Sequence, residues 1–174
     1  VSASTTYTNS VFVKKGNHRY VFLNIEGSAT AHAIVAVFDL DNPSAATQTY
    51  ATGSGSLTSS SINSVGGGWY RISLTGQIST ATAAYLCYGL VGAATGNTGA
   101  EPNFSAAGTE YVYFFGADLE LGSFATSYIP TAASSVTRAA DVVQFTGAAA
   151  AVLPTSIGTI ITEIGGSSYG SANL

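Results

Sequence analysis

A chain of 174 residues suffices for one β domain of ordinary size plus a short extra piece, and not for two full sandwiches. Charged residues make up only 8% of it, with a formal net charge of −4 and five Lys and Arg in all; clustered positive charge of the kind that grips phosphate backbones is missing, which argues against nucleic acid as a partner. No apolar run approaches the roughly 20 residues of a membrane-crossing helix, and the single cysteine, Cys87, excludes an intrachain disulfide and a multi-cysteine zinc centre.

The chain opens at Val1 without the basic-then-apolar pattern of a signal peptide and reads as processed or trimmed material. From there, period-two runs rich in Val, Ile, Tyr, Phe and Thr alternate with Gly, Ser, Asn and Pro clusters, the pattern of an all-β, antiparallel sandwich or barrel. Strands are expected near 9–14, 19–26, 32–40, 47–51, 69–75, 83–91 and 110–121, with no amphipathic helix. Lys15-Gly16-Asn17 suits a tight hairpin, Asp41-Asn42-Pro43 a type I turn, and Gly66-Gly67-Gly68 a turn with unusual backbone angles.

Side chains alternate across a strand, so each run divides into two faces. Val21, Leu23 and Ile25 are expected in the core, with Tyr20, Phe22, Asn24 and Glu26 opposite; Tyr70, Ile72 and Leu74 in the core, with Trp69, Arg71, Ser73 and Thr75 outward. In the last run Phe115, Ala117, Leu119 and Leu121 share one phase, and Phe114, Asp118 and Glu120 the other. Cys87, inside AYLCYGLV, reads as a buried, inert thiol. The resulting organisation is a β domain over 1–131, a low-complexity joint over 132–141, and a C-terminal β extension, or the start of a second β domain, over 142–174.

Three segments carry a family resemblance: SVFVKKGNHRYVFLNI at 10–25, GGGWYRISLTG at 66–76, and GADLELGSFATSYIPTAASSVTRAAD at 116–141. Each resembles, in order and spacing, its counterpart in carbohydrate-binding-like jelly-roll modules of bacteriophage tail-fibre and head-spike proteins. The third segment is the more specific. The resemblance departs at both ends: few residues precede the first segment, and a second sandwich that often follows is only begun. It implies a jelly-roll sandwich, a virion or extracellular location, a homo-oligomer, and host surface polysaccharide or other virion chains as partners.

Sugar recognition needs flat apolar platforms flanked by groups that satisfy hydroxyls. Trp69, Arg71, Tyr20 and Asn24 could supply both if strands 19–26 and 69–75 are neighbours; the alternative is that Trp69 plugs the rim of the sandwich. Asp118 and Glu120, two apart on one strand, project on the same face. By the resemblance, Asp118 is the best candidate ligand for a structural calcium ion, with Glu120 beside it; the alternative is a solvated or hydrogen-bonded pair. Their spacing of roughly 7 Å would also suit an inverting glycosidase, but no other feature of an active site accompanies it. His18 and His32 lie apart, with no ligand at metal spacing, and read as surface histidines. There is no Gly-x-Ser-x-Gly elbow and no phosphate-loop Lys-Ser/Thr.

The sequence therefore points to a non-enzymatic virion module that binds host glycans. A purely structural virion connector or capsid-decorating domain is the second reading. A carbohydrate-binding module of a secreted polysaccharide-degrading enzyme is the third.

Overall fold

The computed structural model describes residue 2 and residues 4–28, 32–79, 83–131 and 134–137. Contacts divide the chain into residues 1–133 and 134–174, and the strands described all fall in the first of these units. The C-terminal extension read at 142–174, and the Arg138 and Asp141 of the joint, lie outside the described residues.

Among the described residues nine strands follow in order: β1 Tyr7–Lys15, β2 Tyr20–Gly27, β3 Ala33–Asp39, β4 Ala46–Thr52, β5 Gly55–Gly66, β6 Trp69–Ile78, β7 Ala84–Tyr85, β8 Tyr88–Leu90 and β9 Val112–Leu121. They form two antiparallel sheets, one ordered β5-β6-β1-β9, the other β4-β3-β2 with β7 and β8 both along the free side of β2. The sheets pack face to face as an all-β sandwich, in agreement with the sequence pattern.

Alternation explains the core between the sheets. Val11 and Val13 of β1, Val21, Leu23 and Ile25 of β2, Ile34, Ala36 and Phe38 of β3, and Ile72 and Leu74 of β6 are all buried in it. The expected inward residues of β2 and β6 are thus in place. What the alternation did not predict is a second apolar cluster on the far side of the five-stranded sheet, where Phe22, Val35 and Val37 are covered by Val91 and Ala100. The chain from 91 to 104 is laid across this face and stitched to β4: Gln48 Nε2 donates to the Asn97 carbonyl (2.9 Å), Asn97 N–H to Gln48 Oε1 (3.0 Å), and the Tyr50 hydroxyl to the Gly99 carbonyl (2.9 Å).

Four local expectations need correction. The segment at Lys15-Gly16-Asn17 is no hairpin, because β1 and β2 belong to different sheets. It is a corner, and glycine is required there by close approach: a Cβ on Gly16 would stand 2.4 Å from the Tyr111 ring. The run at 83–91 is split into β7 and β8, since Asn24 of β2 binds Cys87 in between with its backbone N–H (to the Cys87 carbonyl, 2.9 Å) and its side chain. β5 was not expected at all. In β9, a bulge lets Gly116 and Ala117 together oppose Val11, with Gly116 at φ +61°. The bulge reverses the phase of its first half, so Phe114 packs on the core while Phe115 is 59% exposed. Leu121, at the strand's end, is exposed as well.

The triple glycine behaves as expected: Gly66, Gly67 and Gly68 all have positive φ and close the β5–β6 hairpin. At the β3–β4 connection, the Asp39 carboxylate accepts from the Asp41 backbone N–H (2.9 Å), the Asn42 side chain (3.3 Å) and both ends of the Arg19 guanidinium (2.8 and 2.6 Å). That fork holds the Asp39 carboxyl far below the usual carboxylate range.

Candidate functional site

The outer face of the four-stranded sheet is built from three cross-strand rungs. They run from β5 through β6 and β1 to β9 as Asn63, Arg71, Phe12, Phe115; then Ser61, Ser73, Ser10, Asp118; then Ser59, Thr75, Thr8, Glu120. Small hydroxyls therefore pave the β5–β6 half, with Ser61 and Ser73 hydrogen-bonded to each other (2.8 Å). Carboxylates and aromatics mark the β9 half.

Arg71 joins the two halves. Its guanidinium donates to Ser10 Oγ (2.8 Å), lies 5.4 Å from the Phe12 ring centre and 3.8 Å from Glu120, and donates to the Thr126 carbonyl. Glu120 in turn accepts from the Thr126 backbone N–H (2.8 Å) and hydroxyl. Thr8 donates to the Gly122 carbonyl (3.0 Å). The segment after β9 is thereby fixed over the sheet and raises a wall, Ser123-Phe124-Ala125, along the serine-paved half. Between wall and floor lies an open groove of about 450 Å³, reaching from Ser59, Ser61 and Asn63 to Arg71, Ser73 and Thr75. Phe124, in the wall, is 70% exposed. Next to the groove, Phe12, Phe115 and Tyr128 form an aromatic ledge with ring centres 5.6–6.1 Å apart, and Tyr113 extends it along β9.

The four residues read as a sugar patch are not brought together. Trp69 and Arg71 lie on the four-stranded sheet, Tyr20 and Asn24 on the other, so β2 and β6 are not neighbours in a sheet. Asn24 is fully buried, accepting from the Cys87 N–H (2.8 Å) and donating to the Ala100 carbonyl (2.7 Å). Tyr20 carries the Arg19 guanidinium 4.9 Å from its ring centre. Trp69, half-buried, pairs with Lys14 at the hairpin end and does not line the groove. Arg71 alone of the four lies in it.

Asp118 and Glu120 do share one face. Burial and the Glu120 charge push the Asp118 carboxyl above its usual range. The donor set does not fit calcium, which takes six to eight oxygens: Glu120 is committed to Thr126, Arg71 stands where a cation would stand, and among the described residues no third carboxylate joins the pair. Neither histidine is a free surface group. His18 Nε2 is 2.9 Å from the Val91 carbonyl with its ring against Phe104, and His32 Nδ1 accepts from the Ser54 N–H (2.7 Å).

Sequence reasoning missed Ser59, Ser61, Asn63 and Phe124. Hydroxyl and amide side chains at every second position from 59 to 63 were the available signal. No protein-family model matches the chain, and no curated protein matches it in sequence.

Proposed function

We propose that this chain is a non-enzymatic, jelly-roll-like virion fibre, spike or decoration module whose four-stranded sheet binds a host surface glycan in the serine-paved groove. The observation that carries the reading is the groove itself. Its size lies in the range of small-molecule clefts, about 300–1,000 Å³, and it offers hydroxyls, the Asn63 amide and the edge of a guanidinium to a sugar's hydroxyls, with the Phe124 ring beside them for its C–H face. The virion setting rests on the three resembling segments at 10–25, 66–76 and 116–141. One such site is weak, and repeated copies in a homo-oligomer would supply avidity.

The test is a polysaccharide and glycan array probed with the chain displayed in multiple copies. Binding that falls about tenfold in Phe124→Ala, the equivalent of an aromatic contact of about 1.4 kcal/mol, supports the reading. Binding to no surface polysaccharide, or binding indifferent to Phe124→Ala and Asn63→Ala together, overturns it.

A second reading has its own observation. Tyr113 and Phe115 stand 52% and 59% exposed in a row on β9, at one end of the sheet, and exposed aromatic rows suit protein contacts. In a purely structural connector the ledge would pack on another virion chain. Mutating the ledge to Ser would then disrupt assembly while leaving glycan binding untouched.

A further inference from the structure

On the opposite side of the molecule, where the chain from 91 to 104 covers the five-stranded sheet, three chemically unlike groups converge. Glu26 projects from β2, Cys87 lies in the step between β7 and β8, and Glu101 belongs to the covering segment. One ligand atom from each lies within 4.8 Å of the other two, and Cys87 Sγ is 3.2 Å from Glu101 Oε1.

Glu26 makes the arrangement unusual. It is only 4% exposed, and among the described residues no hydrogen-bond donor reaches its carboxylate. A buried carboxylate is ordinarily paired or hydrogen-bonded; this one instead faces a second carboxylate and a thiol. Its carboxyl is pushed up, first by burial and then by the Glu101 charge. The Cys87 thiol is pushed up to about 11 by burial, by its hydrogen bond to Glu101 and by both carboxylates. The cluster thus brings two carboxylates and a thiol together, with Glu26 buried, Cys87 half-buried and Glu101 opening the site to solvent.

The two loop ligands are held in position rather than merely close. Asn24, two residues before Glu26 on the same face of β2, accepts from the Cys87 N–H with Oδ1 and donates with Nδ2 to the carbonyl of Ala100, the residue before Glu101. A single buried amide therefore fixes the backbone at both, which is the support a preorganised ligand set requires.

We propose that Glu26, Cys87 and Glu101 form a three-ligand site for a zinc-like divalent cation that staples the covering segment and the β7–β8 step to β2. Zinc bonds of about 2.0–2.3 Å place tetrahedral ligand atoms about 3.5 Å apart, the spacing this cluster closes to with small side-chain movements. One thiolate with two carboxylates suits a borderline ion such as zinc, whereas calcium and magnesium want oxygen alone. The fourth position is left to water. Binding displaces the thiol proton to solvent and places a double positive charge among three anionic groups. Because the ligands come from three separate segments, the ion stabilises the folded chain by mass action.

The experiment uses the full 174-residue chain, stripped with chelator and titrated with Co²⁺ and, separately, Zn²⁺. The expected result is one Zn²⁺ per chain by calorimetry, a sulfur-to-cobalt charge-transfer band that is lost in Cys87→Ser, and a thermal midpoint that Zn²⁺ raises in the parent but not in Cys87→Ser. Glu26→Gln and Glu101→Gln each weaken Zn²⁺ binding about tenfold or more, while Asp118→Asn, on the other sheet, leaves it unchanged. Glu101 is exposed, so that variant folds whatever becomes of Glu26→Gln, whose fold is checked by circular dichroism. No charge-transfer band under excess Co²⁺, or Zn²⁺ affinity unchanged in Glu101→Gln, overturns the proposal.

Discussion

The two sheets carry the same alternation on their inner faces and opposite fates on their outer ones. Outside β2 and β3 stand Phe22, Val35 and Val37, and the chain from 91 to 104 comes back to cover them. Outside β5 and β6 stand Ser59, Ser61, Asn63 and Ser73, and their side of the sheet remains an open groove. The difference teaches that the chemistry of the outward residues decides which face of a sandwich of this size is left uncovered. Apolar outer residues recruit a loop and become a second core; hydroxyls gain little by burial and stay available to a ligand.

Stability measurements can break that contrast. The largest effect is expected at Asn24, because Asn24→Ala strands the part-buried Cys87 N–H and the buried Ala100 carbonyl. At about 1–3 kcal/mol for each unsatisfied group, the loss comes to about 4 kcal/mol, read as a lowered urea midpoint. Phe22→Ala should follow with about 3 kcal/mol in the same assay, as a core truncation would, although Phe22 lies on the outer face. If it costs nothing, the covering segment contributes no second core and the contrast fails.

Acid should separate the sheets by sign. The Asp39 carboxyl is depressed, so its contribution is complete above the unfolded value near 3.8 and is lost as pH falls below it. The stability of the parent is therefore expected to drop below about pH 4, and that of Asp39→Asn to be low already at pH 7 and flatter in acid. The Asp118 carboxyl is raised, which is a penalty at neutral pH that disappears on protonation. Asp118→Asn should be neutral to stabilising at about pH 7, with no such gain below about pH 4. The smallest effect is expected at Ser59→Ala, an exposed groove position, within about 0.5 kcal/mol of the parent.

The sandwich was legible in the chain because β2 and β6 carry period-two alternation with one apolar phase turned to the core, and β3, buried on both faces, reads as a short continuous apolar run. β5 was not, since GSLTSSSINSVG has few apolar residues and two register shifts, between Leu57 and Ser59 and between Ser64 and Gly66, that break what phase there is. The groove was lost with it. Alternation also places side chains within a strand without saying which strands adjoin. Tyr20 and Asn24 could thus be put on the outer face of β2 from sequence, but not on a different sheet from Arg71. The Gly116 bulge escaped for a related reason: glycine within a strand permits a positive φ without requiring it.

The pairing of the first and last strands has a mechanical consequence. Tyr7, at the start of β1, lies opposite Leu121, at the end of β9, so the first strand begins and the last strand ends side by side. Tension applied through these two points acts along the rungs between β1 and β9 rather than along the strands, and rungs loaded in that direction break in succession instead of together. The module should yield at low force, as a zipper does. Because the segment that follows β9 is also the wall of the groove, held through Gly122 and Thr126, tension on it strips the wall before it reaches the β1–β9 rungs, and the groove is the first part to deform.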